Sequence, residues 1–109
     1  SKFKKKRIFF TCYNTIFNFN LIFKFLKDYT KILELSECEK LTDLSLNKIQ
    51  KQCKNLIKLD LNSNSIQRNL ITSNGVSNLA KECNQLQVLL LRRCVNIDDE
   101  CIEIIAKNC

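Results

Sequence analysis

Thiols are the groups in this chain most able to do chemistry. Seven cysteines stand at Cys12, Cys38, Cys53, Cys83, Cys94, Cys101 and Cys109. A zinc site would need close Cys-x-x-Cys pairs or histidines to complete a tetrahedral set. No such pair occurs, and the chain has no His. A disulfide framework belongs to oxidising compartments. The odd cysteine count and the lack of any Asn-x-Ser/Thr sequon point instead to an intracellular setting, cytoplasmic or nuclear. A catalytic thiolate needs an electropositive, accessible site, and there is neither a histidine base nor a glycine-rich phosphate loop, since Gly75 is the only glycine. The acidic run Asp98-Asp99-Glu100 has the composition of a cation site. It stands just before a helical pattern, however, where carboxylates satisfy the open N–H groups of the first turn. Cys101 follows at the helix start, where the dipole could lower a thiol pKa, but small-residue filling of that slot is the preferred reading. No catalysis, cofactor or metal is expected.

The spacing of the cysteines explains them better than reactivity does. Leu33-Glu-Leu35-Ser-Glu-Cys38 is followed by Leu41-Thr42-Asp43 and then by Leu46, Ile49 and Cys53. The same order returns from Leu59 to Cys83 and from Leu89 to Cys109. Leu35 and Leu61 lie 26 residues apart, and Leu61 and Leu91 lie 30 apart. Self-similarity at this period marks stacked supersecondary units. Within each copy the apolar spacing changes midway. Alternation at Leu56, Leu59 and Leu61, and at Leu86, Leu89 and Leu91, predicts a short strand. Offsets of three, four and seven then predict a one-sided helix: Leu46, Ile49, Cys53; Val76, Leu79, Ala80, Cys83; Ile102, Ile105, Ala106, Cys109. Thr42-Asp43, Thr72-Ser73 and Asp98-Asp99 fall where helix caps are needed. Cys38 and Cys94 close the strand, with Asn64 in the same slot, while Cys53, Cys83 and Cys109 close the helix. A small thiol recurring at a packing position is expected to be structural.

Residues 1–29 differ from the rest. All seven phenylalanines and the whole formal excess of +7 lie in the first 31 residues, while residues 32–109 balance ten basic against ten acidic groups. A neutral array lacks the positive face that gripping phosphates requires, so nucleic acid is not an expected partner. Lys4-Lys5-Lys6-Arg7 ahead of residues 8–26 imitates a basic and apolar targeting segment, without a small-residue cleavage site. Asn14, Asn18, Asn20 and Lys24 interrupt it as a membrane span, and a membrane is not an expected partner. Three further readings stay open. The segment can be a degenerate copy, with Phe9 placed 26 residues before Leu35 and a better fit after a one-residue shift. It can be non-native coding, or its basic run a nuclear signal. With about three copies and no polar cap after Cys109, the chain is expected to be a fragment or truncated product of a longer array.

The copies at residues 30–53, 54–83 and 84–109 share the pattern L-x-x-L-x-L-x-x-[C/N]-x-x-[L/I]-[T/D]-[D/S]-x-[G/S/C]-[L/V/I]-x-x-[L/I]-[A/Q]-x-x-C. This pattern resembles the cysteine-containing subfamily of leucine-rich repeats, known from the substrate-recognition part of F-box proteins in SCF-type ubiquitin ligases. Ser45 and Cys101 depart from it at the glycine slot, and Gln50 at the alanine. The middle copy carries four extra residues within Ser65 to Leu70, expected to bulge as a loop. No F-box is visible in residues 1–31. The resemblance implies an α/β solenoid, or horseshoe, with parallel strands on the concave face and helices on the convex face.

That concave face is the usual binding surface of such arrays. Its expected columns are Ile32, Lys58, Val88; Glu34, Asp60, Leu90; Ser36, Asn62, Arg92; and Glu37, Ser63, Arg93. They grade from acidic to apolar and basic, and apolar anchors beside arginine suit a protein partner. The expected function is non-catalytic protein recognition, by resemblance that of a ubiquitin-ligase substrate receptor. The alternatives are a scaffold in a ciliary or cytoskeletal assembly and a membrane-tethered repeat protein. Truncating the core residue Leu89 to alanine is expected to cost about 2–5 kcal/mol.

Overall fold

The structure is a computed structural model that describes residues 7–9, 23–36, 38, 40–64 and 70–109. Cys12, Glu37, the basic run up to residue 6 and residues 65–69 lie outside these. Four strands, β1 (Arg7–Phe9), β2 (Ile32–Glu34), β3 (Lys58–Asp60) and β4 (Val88–Leu90), make one parallel sheet in chain order. Among the described residues three helices alternate with the later strands: α1 (Asp43–Gln52), α2 (Ser73–Glu82) and α3 (Asp99–Asn108). The class is mixed α/β. No helix among the described residues is long and apolar enough to cross a membrane.

Burial sets the register. Leu33 pairs with Leu59 and Leu59 with Leu89, so the middle residue of each strand points into the core. Leu33, Leu35, Leu59 and Leu61 are fully buried, together with Leu46, Ile49, Val76 and Leu79 from the helices. One apolar cluster thus takes side chains from sheet and helices alike. Ile8 pairs with Leu33, a step of 25 residues in place of the expected 26. The reason is chemical. A slip of one residue exchanges the two faces of a strand, and at 26 Arg7 would face the core where Ile8 now does. Residues 7–9 therefore belong to the same sheet as the later copies, and Leu26 joins the same core.

The helices begin as their capping residues dictate. Thr42 accepts the Leu44 N–H at 3.1 Å, while Ser45 Oγ accepts the Thr42 N–H at 3.1 Å, which closes a capping box. Asp98 Oδ1 accepts the Cys101 N–H at 2.8 Å. Thr72 occupies the same position but makes no side-chain cap bond to its own helix. Its hydroxyl donates instead to Asp43 Oδ2 at 2.5 Å, and its N–H to Asp43 Oδ1 at 2.8 Å. Asp43 is thereby a strut between the first turns of α1 and α2. In the next copy Ser73 takes this role, its Oγ accepting the Asp98 N–H at 2.9 Å.

The third helical stripe departs from expectation. Ile102 is 51% exposed and Ile105 only half-buried. Of the expected stripe residues, Ala106 and Cys109 are exposed too. The reason is that, among the described helices, α2 lies between α1 and α3, whereas α3 has α2 as its helical neighbour on one side. Leu89 and Leu91 are half-buried for the same reason, since among the described strands β4 has one neighbour.

Candidate functional site

The cysteines that close the helices form a ladder. The Cys83 thiol donates to the Cys53 carbonyl at 3.4 Å, and the Cys109 thiol to the Ala80 carbonyl at 3.6 Å. A helix leaves its last carbonyls without partners, and here a thiol from the following copy reaches them while filling an apolar space. Burial pushes the Cys53 thiol up to about 11, against the opposing hydrogen bonds from Thr30 and the Lys27 backbone. Burial also takes Cys83 up to about 12, helped by neighbouring Cys53, Cys109 and Glu82. Such thiols are neutral packing groups at ordinary pH. Alkylation with iodoacetamide at pH 8, read by peptide mass mapping, is expected to label exposed Cys109 about a hundredfold faster than Cys53 or Cys83, since burial and suppressed thiolate act together. Equal rates in the native chain would contradict the ladder.

Cys38, Cys94 and Cys101 are buried as well. Cys101 sits in a slot that Gly75 fills in the preceding helix, for a reason visible across the copies. A Cβ on Gly75 would run into Asp43 Oδ1 and stand 2.5 Å from the Asp43 Cγ. Ahead of Cys101 the corresponding strut is the shorter Ser73, which leaves room for a side chain. Asp98 is occupied as a cap, and among the described residues no group of three or more His, Cys, Asp or Glu is placed to hold a metal ion.

The candidate surface is therefore the sheet face. Ile32, Lys58 and Val88 align in register, as do Glu34, Asp60 and Leu90. Val88 is 38% exposed, while Ile32, Lys58, Asp60 and Leu90 are half-buried. Ser36 and Asn62 are half-buried and Arg92 is exposed. Asn62 ties the third column together, because its Oδ1 accepts the Arg92 N–H at 2.8 Å. Arg92 Nη1 in turn donates to Asn64 Oδ1 at 2.9 Å.

One expected face residue, Ser63, is placed elsewhere. Ser63 is fully buried, and its N–H donates to the Arg92 carbonyl at 3.2 Å. Consecutive residues in extended chain point to opposite sides, so Asn62 and Ser63 cannot share a face. Arg93 is exposed at φ 67, the third residue of a turn in which the Cys94 N–H donates to the Leu91 carbonyl at 3.0 Å. Glu37 lies outside the described residues.

Glu34 is only 7% exposed, which corrects its expected place on an open acidic end. Arg7, opposite Ile32 in the register, reaches diagonally and sets Nε and Nη2 on Glu34 Oε1, each at 2.5 Å. A desolvated carboxylate needs such a partner. Arg7 is absent from the expected columns, and the signal that could have found it is Ile8, an apolar residue 25 before Leu33 with a cation beside it. Comparison of the sequence with protein-family models and with curated proteins gives no match.

Proposed function

We propose that this chain is an intracellular leucine-rich repeat module that binds another protein through the open face of its sheet, without a catalytic step. We further propose that it serves as the substrate-recognition part of an SCF-type ubiquitin ligase. The ligase role rests on the repeat pattern alone. The solenoid reading is supported by the sequential parallel strands and by the helices that pack in the same order. The observation that carries the binding role is Val88, 38% exposed on the sheet and flanked by Lys58 and Leu90. A small apolar spot with charged neighbours is the composition of an interface anchor.

The test is selection of a random peptide library on the immobilised chain, followed by counter-screening. Binders are expected to lose at least tenfold in affinity for Leu90→Asp and for Arg92→Glu, with the melting temperature of each variant unchanged. Binders indifferent to both substitutions would overturn the proposal.

A further inference from the structure

The fold leaves the charges on this face unequally engaged. Among the described residues Glu34 carries the Arg7 guanidinium, while Asp60 keeps its charge, its Oδ1 accepting the neutral Asn62 N–H at 2.9 Å. The cations are not matched in the same way. Among the described residues, Lys58 and Arg92 have no carboxylate within ion-pair distance, and the Arg92 guanidinium donates to a neutral amide, Asn64 Oδ1. An acidic partner would therefore find two cations, Lys58 and Arg92, that no carboxylate of the described residues pairs with, against the single uncancelled carboxylate of Asp60.

Register fixes the spacing of those cations. Lys58 lies directly across from Val88, and Leu90 and Arg92 follow at alternate positions. With strands about 4.8 Å apart and residues rising about 3.3 Å each, Lys58 and Arg92 stand about 14 Å apart at the backbone. Val88 and Leu90 fill the interval. An extended peptide places side chains of residues i and i+4 on one side at nearly the same separation.

We infer that this strip takes an extended acidic segment of the partner protein, with two carboxylates four residues apart on either side of an apolar side chain. The inference rests on the sheet face being the binding surface. The carboxylates reach Lys58 and Arg92, and the apolar side chain covers Val88 and Leu90. Covering those two residues removes water from between the charges and strengthens both ion pairs.

The test is a fluorescence-anisotropy titration of the whole chain with fluorescein-labelled Glu-Ser-Leu-Ser-Glu, compared with Lys-Ser-Leu-Ser-Lys and Glu-Ser-Ser-Ser-Glu. The first peptide is expected to bind at least tenfold tighter than either of the others. Combining Lys58→Glu with Arg92→Glu should reverse the charge preference while Leu still outranks Ser at the centre. Equal binding of the acidic and basic peptides, no binding of any, or an unreversed preference in the charge variant would overturn the inference. If library binders still depend on Leu90 in that event, the binding face stands and only its acidic preference falls. If they do not, both fall.

Discussion

Replacing Gly75 by alanine is expected to destabilise the chain by about 2–3 kcal/mol, although alanine is the better helix former. Propensity alone favours the change by up to about 1 kcal/mol. Against it stands the new methyl, which would collide with Asp43 Oδ1 and lie 3.0 Å from Asp43 Cβ. Asp43 cannot simply swing away, because its two oxygens hold the Thr72 N–H and hydroxyl. Hydrogen bonds to a charged group are each worth about 1.5–3 kcal/mol, and overpacking a fixed site costs about 1–3 kcal/mol. The same geometry predicts a rescue. In an Asp43→Ser background, where the strut is as short as Ser73, Gly75→Ala should become neutral or mildly stabilising. A double-mutant cycle from urea unfolding then gives a coupling of about 2 kcal/mol. Identical effects of Gly75→Ala in both backgrounds would show that Asp43 is not what excludes the side chain.

Leu59→Ala is expected to be the most damaging single truncation, at about 3–5 kcal/mol. Leu59 is fully buried in the middle residue of β3, with β2 on one side and β4 on the other. Removing it leaves a void that close-packed neighbours cannot fill. Leu89 has the same place in the repeat but is half-buried, so Leu89→Ala is expected to cost about 1–2 kcal/mol, less than its position in the sequence suggests. A domain of this size is stable by about 5–15 kcal/mol in total. Thermal melts should therefore bring Leu59→Ala down by more than about 15 °C and Leu89→Ala by less than about half of that. The reverse order would mean that the strands are stacked in another sequence.

The leucine columns and the cysteines that close each helix are legible in the sequence, because burial imposes a period on them. Leu33, Leu59 and Leu61 are placed as the alternation predicts, and Thr42 and Asp98 cap the helices they precede. What the sequence hides are pairings between copies. Ser45 and Cys101 look like independent departures from the glycine slot that Gly75 fills, whereas the Asp43 strut excludes a side chain at Gly75 and the shorter Ser73 leaves room for Cys101. Glu34 looks like an open acid as long as Arg7 reads as the end of a basic leader. The register of β1 rests on one isoleucine, too little periodicity to resolve a one-residue shift. Of the proposed face, the first two columns align in register. In the fourth, Ser63 is buried because strand alternation turns it away from Asn62, a conflict that pairing adjacent positions in two columns overlooks.

The thiol ladder and the Asp43 strut together mean that α1 and α2 are each completed in part by a neighbouring copy. The open carbonyls at the end of α1 wait for Cys83, and those of α2 for Cys109. Thr72, in turn, depends on the copy before it for a hydrogen-bond acceptor. Excising one copy would thus strip partners from both neighbours at once. The arrangement is that of a masonry arch, in which each block is held by the next, and these shared fittings tie the copies together beside the leucine core.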